Sequence, residues 1–256
     1  MALPTTPSPG SRVIVTGAAG GMGRAITAHL AEAGCRLALC DLVTVDDLAP
    51  SVAAQVIHQA RLDLADTAAV ADGVGALVES LGGCDAVVGN AGVVDTLHRA
   101  ERFPLDAWER DLTVNLTGQF AVVQAAFPAL ANSGNGRVVL VSSTAAETGL
   151  PGQAAYTASK AGLVGFARTL AVEWASHGIR CNVVMPGMID TPKVQALTAD
   201  VRARMAEAIP LGEFGLPGHV AGTIAYLLSP AAAYLTGTTV RVDGGWGLNN
   251  RSLARG

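Results

Sequence analysis

The chain has 256 residues, room for one large α/β domain or two small ones, each able to bury a core. Apolar types reach 50% and charged residues only 15%, against about 25% charge in ordinary soluble domains; this excludes a disordered chain and predicts a surface partly covered by further copies of itself. A net charge of -4, with Lys and Arg scattered, leaves no basic footprint for nucleic acid.

Residues 1–10, MALPTTPSPG, have neither a basic n-region nor an apolar h-region and read as a short disordered leader, not a signal peptide. Behind them, β-rich runs at 13–16, 36–40, 56–60, 86–89, 137–141, 179–184 and 238–242 alternate with longer alanine-rich helical stretches. Hydrophobicity at 13–15 and 138–141 is continuous, the habit of parallel strands covered on both faces. The pattern predicts one doubly wound α/β domain over 11–256, a seven-stranded parallel sheet flanked by helices. No composition shift divides it and no internal repeat is found. Charge-poor stretches at 112–136 and 220–240 are interrupted by Asn115, Gln119, Gln124 and Pro128, and by Gly and Pro. They read as helices buried on most sides, some against a partner, and no membrane span is expected. The least regular segment, 187–217, opens on Pro186-Gly187 and closes with Pro210, Gly212, Gly215 and Pro217 around a short helical stretch, as a mobile loop over a site would. Cys35, Cys40, Cys84 and Cys181 lie far apart without C-x-x-C spacing. They indicate neither metal nor disulfide and point to a reducing, cytoplasmic setting.

Chemistry enters with Thr16-Gly17-Ala18-Ala19-Gly20-Gly21-Met22-Gly23, which follows the first strand and opens a helix. Gly17, Gly21 and Gly23, with Met22, allow a tight turn whose backbone N–H groups approach a pyrophosphate at a helix N-terminus. A glycine-rich string by itself also makes ordinary turns. Asp41 narrows the reading, since it lies 24 residues after Gly17 at the end of the second strand, where a carboxylate accepts from ribose hydroxyls. It also repels a 2'-phosphate, and no Arg or Lys occupies 18–22, so NAD is expected over NADP. Asp63, after the third strand, is placed to accept from the adenine amino group, although an exposed turn aspartate is a rival reading; Leu42 and Leu64 flank the two acids.

Tyr156 and Lys160 share one helix face, and an ammonium there favours the phenolate of a tyrosine that exchanges a proton with an alcohol or ketone oxygen. Such a pair is common on solvated helices. Ser143, however, stands 13 residues upstream at the end of the fifth strand, the edge of a parallel sheet where ligands bind.

With these residues together the sequence resembles the short-chain dehydrogenase/reductase family, over essentially residues 11–246. The family's T-G-x-x-x-G-x-G appears at 16–23, its Y-x-x-x-K as Tyr156 and Lys160, its serine as Ser143 and its helix asparagine as Asn115. Its N-A-G is Asn90-Ala91-Gly92, its P-G is Pro186-Gly187, and Ile189 and Thr191 follow where the family contacts the nicotinamide carboxamide. Gly89 departs from the Asn that many relatives carry there. The resemblance implies a Rossmann fold in which Tyr156 is the general acid/base and Ser143 hydrogen-bonds the reacting oxygen. It implies further that Lys160 holds the nicotinamide ribose and lowers the Tyr156 pKa, and that Asn115 anchors a water in a proton relay. The substrate is expected against Ser143, Thr144, Leu150, Gln153, Tyr156, Val94 and Met188, whose apolar members suit a modest uncharged molecule; Arg99, Arg102 and Lys193 leave an acidic one open. The resemblance also implies a homotetramer of dihedral symmetry. Asp243-Gly244-Gly245 reads as support for a subunit contact, and Trp108, Trp174 and Trp246 as core or interface anchors.

The expected function is NAD-dependent hydride transfer with a secondary alcohol or ketone. A 3-oxoacyl-thioester reductase is the alternative within the class, disfavoured by Asp41. A non-catalytic NAD-binding regulator or scaffold is the alternative outside it, and an intact Asn115, Ser143, Tyr156 and Lys160 set speaks against that.

Overall fold

Strands apolar on both faces must be sandwiched between helices, and the computed structural model, which describes residues 2–94 and 96–248, builds that sandwich. The strands are β1 (Arg12–Thr16), β2 (Arg36–Asp41), β3 (Val56–Arg61), β4 (Ala86–Gly89), β5 (Arg137–Val141), β6 (Arg180–Pro186) and β7 (Thr239–Val242). The helices are α1 (Gly21–Glu32), α2 (Pro50–Ala53), α3 (Thr67–Leu81), α4 (Leu105–Leu112), α5 (Gly118–Asn132), α6 (Ala145–Thr148), α7 (Ala154–Glu173), α8 (Pro192–Gln195), α9 (Ala199–Glu207) and α10 (Pro217–Leu228). Met1, Asp95 and 249–256, the end of the expected domain, lie outside the described residues.

The sheet is parallel throughout, in the order β3-β2-β1-β4-β5-β6-β7. The chain reverses direction of growth between β1 and β4, which opens a crevice beyond their carboxyl ends, the place where doubly wound sheets take ligands. Successive residues serve opposite cores, as the pleat requires. Ile14, Val87, Val138 and Leu140 pack with Val74 and Leu77 of α3, Val122 and Ala126 of α5, and Leu163 and Ala167 of α7. Val13, Val15, Val88, Val139 and Val141 pack with Ile26 and Leu30 of α1 and Val220, Ile224 and Leu227 of α10. All four cysteines are buried free thiols, and burial pushes Cys35 up to about 11 and Cys40 and Cys84 up to about 12.

Two expectations need correction. The leader is held against the body: Gly10 N–H donates to the Gly34 carbonyl at 2.7 Å, Ala231 N–H to the Pro4 carbonyl at 3.0 Å, and Pro7 is buried. Prolines suppress regular structure but leave carbonyls free to accept, which is how the segment docks. The stretch 187–217, expected to hold one short helical stretch, carries two helices, α8 and α9, and a bridge from Ile189 to Gly215 closes its base.

The run Leu105–Asn132 is long and apolar enough, at a mean hydropathy of 1.2, to cross a membrane by length and composition, with 39% of it buried. It is also broken by a π-turn at Thr113–Thr117, and Asp111, Asn115 and Gln119 form a buried polar stripe along it. That stripe points the run at the site.

Candidate active site

At the end of β1 the Thr16 hydroxyl accepts from the backbone N–H groups of Asn90 and Ala91, both at 3.0 Å. Asn90 returns its amide protons to the carbonyls of Thr16 at 3.1 Å and Gly17 at 3.0 Å. The segment after β4 is thereby fastened to the glycine turn. Gly17 has φ +66, and a methyl there would lie 2.6 Å from the Ala91 Cα; a methyl on Gly23 would overlap the Gly17 carbonyl. Helix α1 begins with Gly20 as its cap, with no side-chain cap and no acid in the first turn. Its orphan N–H groups are left for an anion.

Of the expected cofactor residues, Gly17, Gly21, Met22, Gly23, Asp41, Leu42, Asp63, Leu64, Asn90, Ala91, Gly92 and Thr191 line one cavity of about 620 Å³. Asp41 turns inward, one oxygen accepting from Ala19 N–H at 2.9 Å and the other from Leu42 N–H at 2.6 Å, while Asp63 accepts from Ala65 N–H at 2.8 Å. Tyr156, Lys160, Pro186, Gly187 and Ile189 are not on the cavity wall; the last three support the loop that delivers Thr191. That loop comes so close that a methyl on Gly21 would lie 2.7 Å from Pro192 Cδ. Arg110, Val114, Pro192 and Lys193 also line the cavity and were not anticipated. Arg110 and Val114 are one helical turn apart on the Leu105–Asn132 run and so share one face of it.

Ser143 follows β5; its Oγ accepts from Ala145 N–H at 3.2 Å and lies near enough to Tyr156, at the start of α7, to favour the phenolate. Beside it, the Ser142 hydroxyl donates to the Lys160 carbonyl at 2.7 Å, and Lys160 Nζ donates to the Val141 carbonyl at 2.9 Å. Strand end and helix are thus cross-linked. Lys160 is buried, and burial brings its ammonium down to about 8. Its Nζ lies 5.7 Å from the Tyr156 ring centroid, and a methyl on Gly92 would sit 3.1 Å from it, so Lys160 stands next to Gly92 of the cavity wall. Burial raises the Tyr156 pKa and Ser143 pulls it partly back, while the Lys160 ammonium lies beside the ring and donates a hydrogen bond to the Val141 carbonyl.

Asn115 sits in the π-turn, fully buried. Its Oδ1 accepts from Val93 N–H at 2.7 Å, and its Nδ2 donates to the Val93 carbonyl at 2.9 Å and to Ser159 Oγ at 3.2 Å. Both amide protons are committed, so the side chain clamps the loop after β4 to α7. Gln119, one turn on, donates to the Ala91 carbonyl at 2.7 Å, a positioning role the sequence reading missed.

The expected substrate residues gather away from the dinucleotide cavity. Gln153 Nε2 donates to the Val94 carbonyl at 3.4 Å, the 98 and 153 backbones form a bridge, and Thr144 N–H donates to the Pro186 carbonyl at 2.9 Å. The Met188 carbonyl accepts from Gly215 N–H at 2.9 Å, and Leu150 is half-buried.

Comparison with known proteins agrees with this geometry. A family model described as "Enoyl-(Acyl carrier protein) reductase" matches residues 17–247. The chain is 37% identical to a cis-4-hydroxycyclohexanecarboxylate dehydrogenase of Sinomonas cyclohexanicum, over 91% of this chain and 95% of the relative. It is 38% identical to a (3R)-3-hydroxyacyl-CoA dehydrogenase of Rattus norvegicus, with 91% and 94% covered. A protein of Sinorhizobium meliloti 1021, solved as a candidate short-chain alcohol dehydrogenase, superposes with a TM-score of 0.85 at 35% identity, covering 95% of this chain and 98% of that one. The chain belongs to the short-chain dehydrogenase/reductase family. It is an oxidoreductase of CH–OH or keto groups that works with a nicotinamide cofactor, and the residues present fit that group: an uncapped helix start and a glycine cradle open on one cavity, with a carboxylate at its adenosine end.

Proposed function

We propose that the protein is an NAD(H)-dependent dehydrogenase of a secondary alcohol, or reductase of the matching ketone. The observation that carries the reading is Tyr156 set beside Ser143, with Lys160 Nζ 5.7 Å from its ring and next to Gly92 of the cavity wall. The glycine turn and the α1 N-terminus hold the cofactor pyrophosphate, Asp41 takes the adenosine ribose hydroxyls, and Lys160 meets the nicotinamide ribose. When bound, the nicotinamide supplies the hydride acceptor or donor. Ser143 orients the substrate oxygen by hydrogen bonding, and Tyr156 takes its proton in oxidation and returns one in reduction. Asp41 supports NAD over NADP because a 2'-phosphate would face a carboxylate already holding two backbone N–H groups. The 3-hydroxyacyl-CoA relative makes hydroxyacyl thioesters a second substrate class. We further propose a homotetramer working in a reducing, cytoplasmic setting.

The test is NADH formation across secondary alcohols, hydroxy acids, polyols and hydroxyacyl thioesters, followed by cofactor titration. NAD(H) should bind at least about tenfold more tightly than NADP(H), equivalent to about 1.4 kcal/mol, and Asp41→Ala should narrow the gap. Equal or reversed affinities overturn the cofactor assignment, and absence of turnover on every class overturns the reaction.

A further inference from the structure

Arg241 is the third residue of β7, on the edge of the sheet away from the glycine turn. Its guanidinium pairs with Asp243 at 2.6 Å and with Glu147 on α6, and also donates to the Trp246 carbonyl. Helix α6 starts two residues after Ser143, so this one cation links the C-terminal turn to the segment that leaves the reacting serine.

The turn it organises touches the other loops around the site. A methyl on Gly187 would lie 2.7 Å from Asp243 Cβ, and one on Gly244 2.7 Å from Ile209 Cγ2. Gly247 stands as close to Thr148, at 3.2 Å by the same measure. Gly187 N–H donates to the Val242 carbonyl at 3.0 Å and Leu211 N–H to the Gly244 carbonyl at 3.2 Å. Three segments therefore meet here: 147–148 behind Ser143, Gly187 where the loop over the cofactor begins, and 209–211 where it ends. Packing and backbone bonds serve the last two. The side-chain tie to α6 is made by Arg241.

We infer that Arg241 is a positioning residue, which through Glu147 and the 243–247 turn holds α6 in register with both ends of the 187–211 loop and so shapes the substrate side of the site. The inference rests on the proposed reaction at Ser143 and Tyr156. Partly exposed ion pairs add little to global stability, so a loss of register is separable from a loss of fold.

The test compares Arg241→Met and Arg241→Lys with the wild type. In the ligand-free protein, amide hydrogen exchange at Thr148 and Gly149, whose N–H groups bond within α6, should quicken at least about fivefold in the Met variant, as a locally loosened unit does. Its melting temperature should stay within about 2 °C of the wild type. In turnover, substrate KM should rise at least about fivefold while kcat changes less and cofactor Kd stays within about twofold, since misplacement of a substrate wall acts on orientation. Lys, which keeps the charge, should restore most of the KM. Unchanged exchange and KM in the Met variant overturn the inference, and so does a joint fall of melting temperature, cofactor affinity and kcat that Lys does not rescue. If the wild type turns over no alcohol or ketone, the proposed reaction fails and the exchange measurement still decides the role of Arg241.

Discussion

Tyr156 is kept as a neutral phenol by its enclosure, and Ser143 is the group in the structure that favours its ionised form. Tyr156→Phe keeps the ring and removes only the acid/base hydroxyl. Cofactor Kd should therefore stay within about twofold while kcat falls at least about 10²-fold, the lower range for a general acid–base group; near-normal kcat would show that another residue carries the proton. Lys160 gives a stability prediction with a definite sign. Its folded-state pKa is about 8 against an ordinary 10.5, so between those values the unfolded chain binds more protons and this group makes stability rise with pH. Lys160→Met should accordingly be more stable than the wild type at pH 7, by on the order of a few kcal/mol, less whatever the lost Val141 hydrogen bond contributes. Its advantage should shrink as pH climbs from 8 towards 10. Tyr156, raised above 10.0, acts in the opposite sense beyond that, so urea melts from pH 7 to 10 are the measurement. A constant difference across that range would mean that Lys160 is not desolvated. At this scale the sequence was informative where a residue type has few reasons to sit in a given context: Asp41 at a strand end, or Tyr156 and Lys160 on one face. It was silent on Arg110 and Gln119, whose roles depend on which side of a helix meets the cavity, and on the amide bonds of Asn115, because the Val93 backbone beside it is brought there by β4.

At the scale of elements, the seven strands were legible to within two residues at each end, since continuous apolar runs bounded by glycine and polar residues have few other uses. The π-turn at Thr113–Thr117 was not, because i→i+5 bonding leaves no composition signal. The loop over the cofactor was read as irregular, and prolines with glycines justify that, yet its geometry rests on a latch. Asp190 pairs with Arg202 of α9 at 2.8 Å, and the Arg202 guanidinium lies 5.0 Å from the Phe214 ring centroid. Asp190 immediately precedes Thr191 and Pro192, which cover Gly21. Removing the latch with Arg202→Ala should let this segment lift more often, raising the NADH dissociation rate about fivefold, a step of the kind that loop opening controls, with kcat falling no more than the rate of chemistry requires. Stopped-flow displacement of NADH reads it directly. An unchanged dissociation rate would mean that the Pro192 contact alone keeps the loop down.

For the whole molecule, strand order was not readable residue by residue; the α/β alternation led only as far as a doubly wound parallel sheet. What the sheet then exposes is informative. Phe120 on α5 and Phe166 on α7 stand 5.5 Å apart, ring to ring, with Phe120 43% exposed and Val172 of α7 79% exposed. These are the two helices in which charged side chains are confined to Lys160, Arg168 and Glu173, and Lys160 is buried at the site. An amphipathic surface helix shows a polar stripe to water; here an apolar aromatic step takes its place, as at a contact between copies. A homotetramer is expected, with light scattering at micromolar protein giving about four times the 25.9 kDa chain mass, the closed D₂ arrangement that paired two-fold contacts build. Phe120→Asp or Phe166→Asp would bring a carboxylate into that seam with no partner in the wild-type structure, and desolvating it opposes assembly. The substituted proteins should appear as smaller species with folded far-ultraviolet spectra and a cofactor cavity still able to bind, because neither phenylalanine lines it. A soluble variant of unchanged mass would put the contact between copies on another face, and a wild-type monomer would leave the exposed Phe120 and Val172 to a different partner.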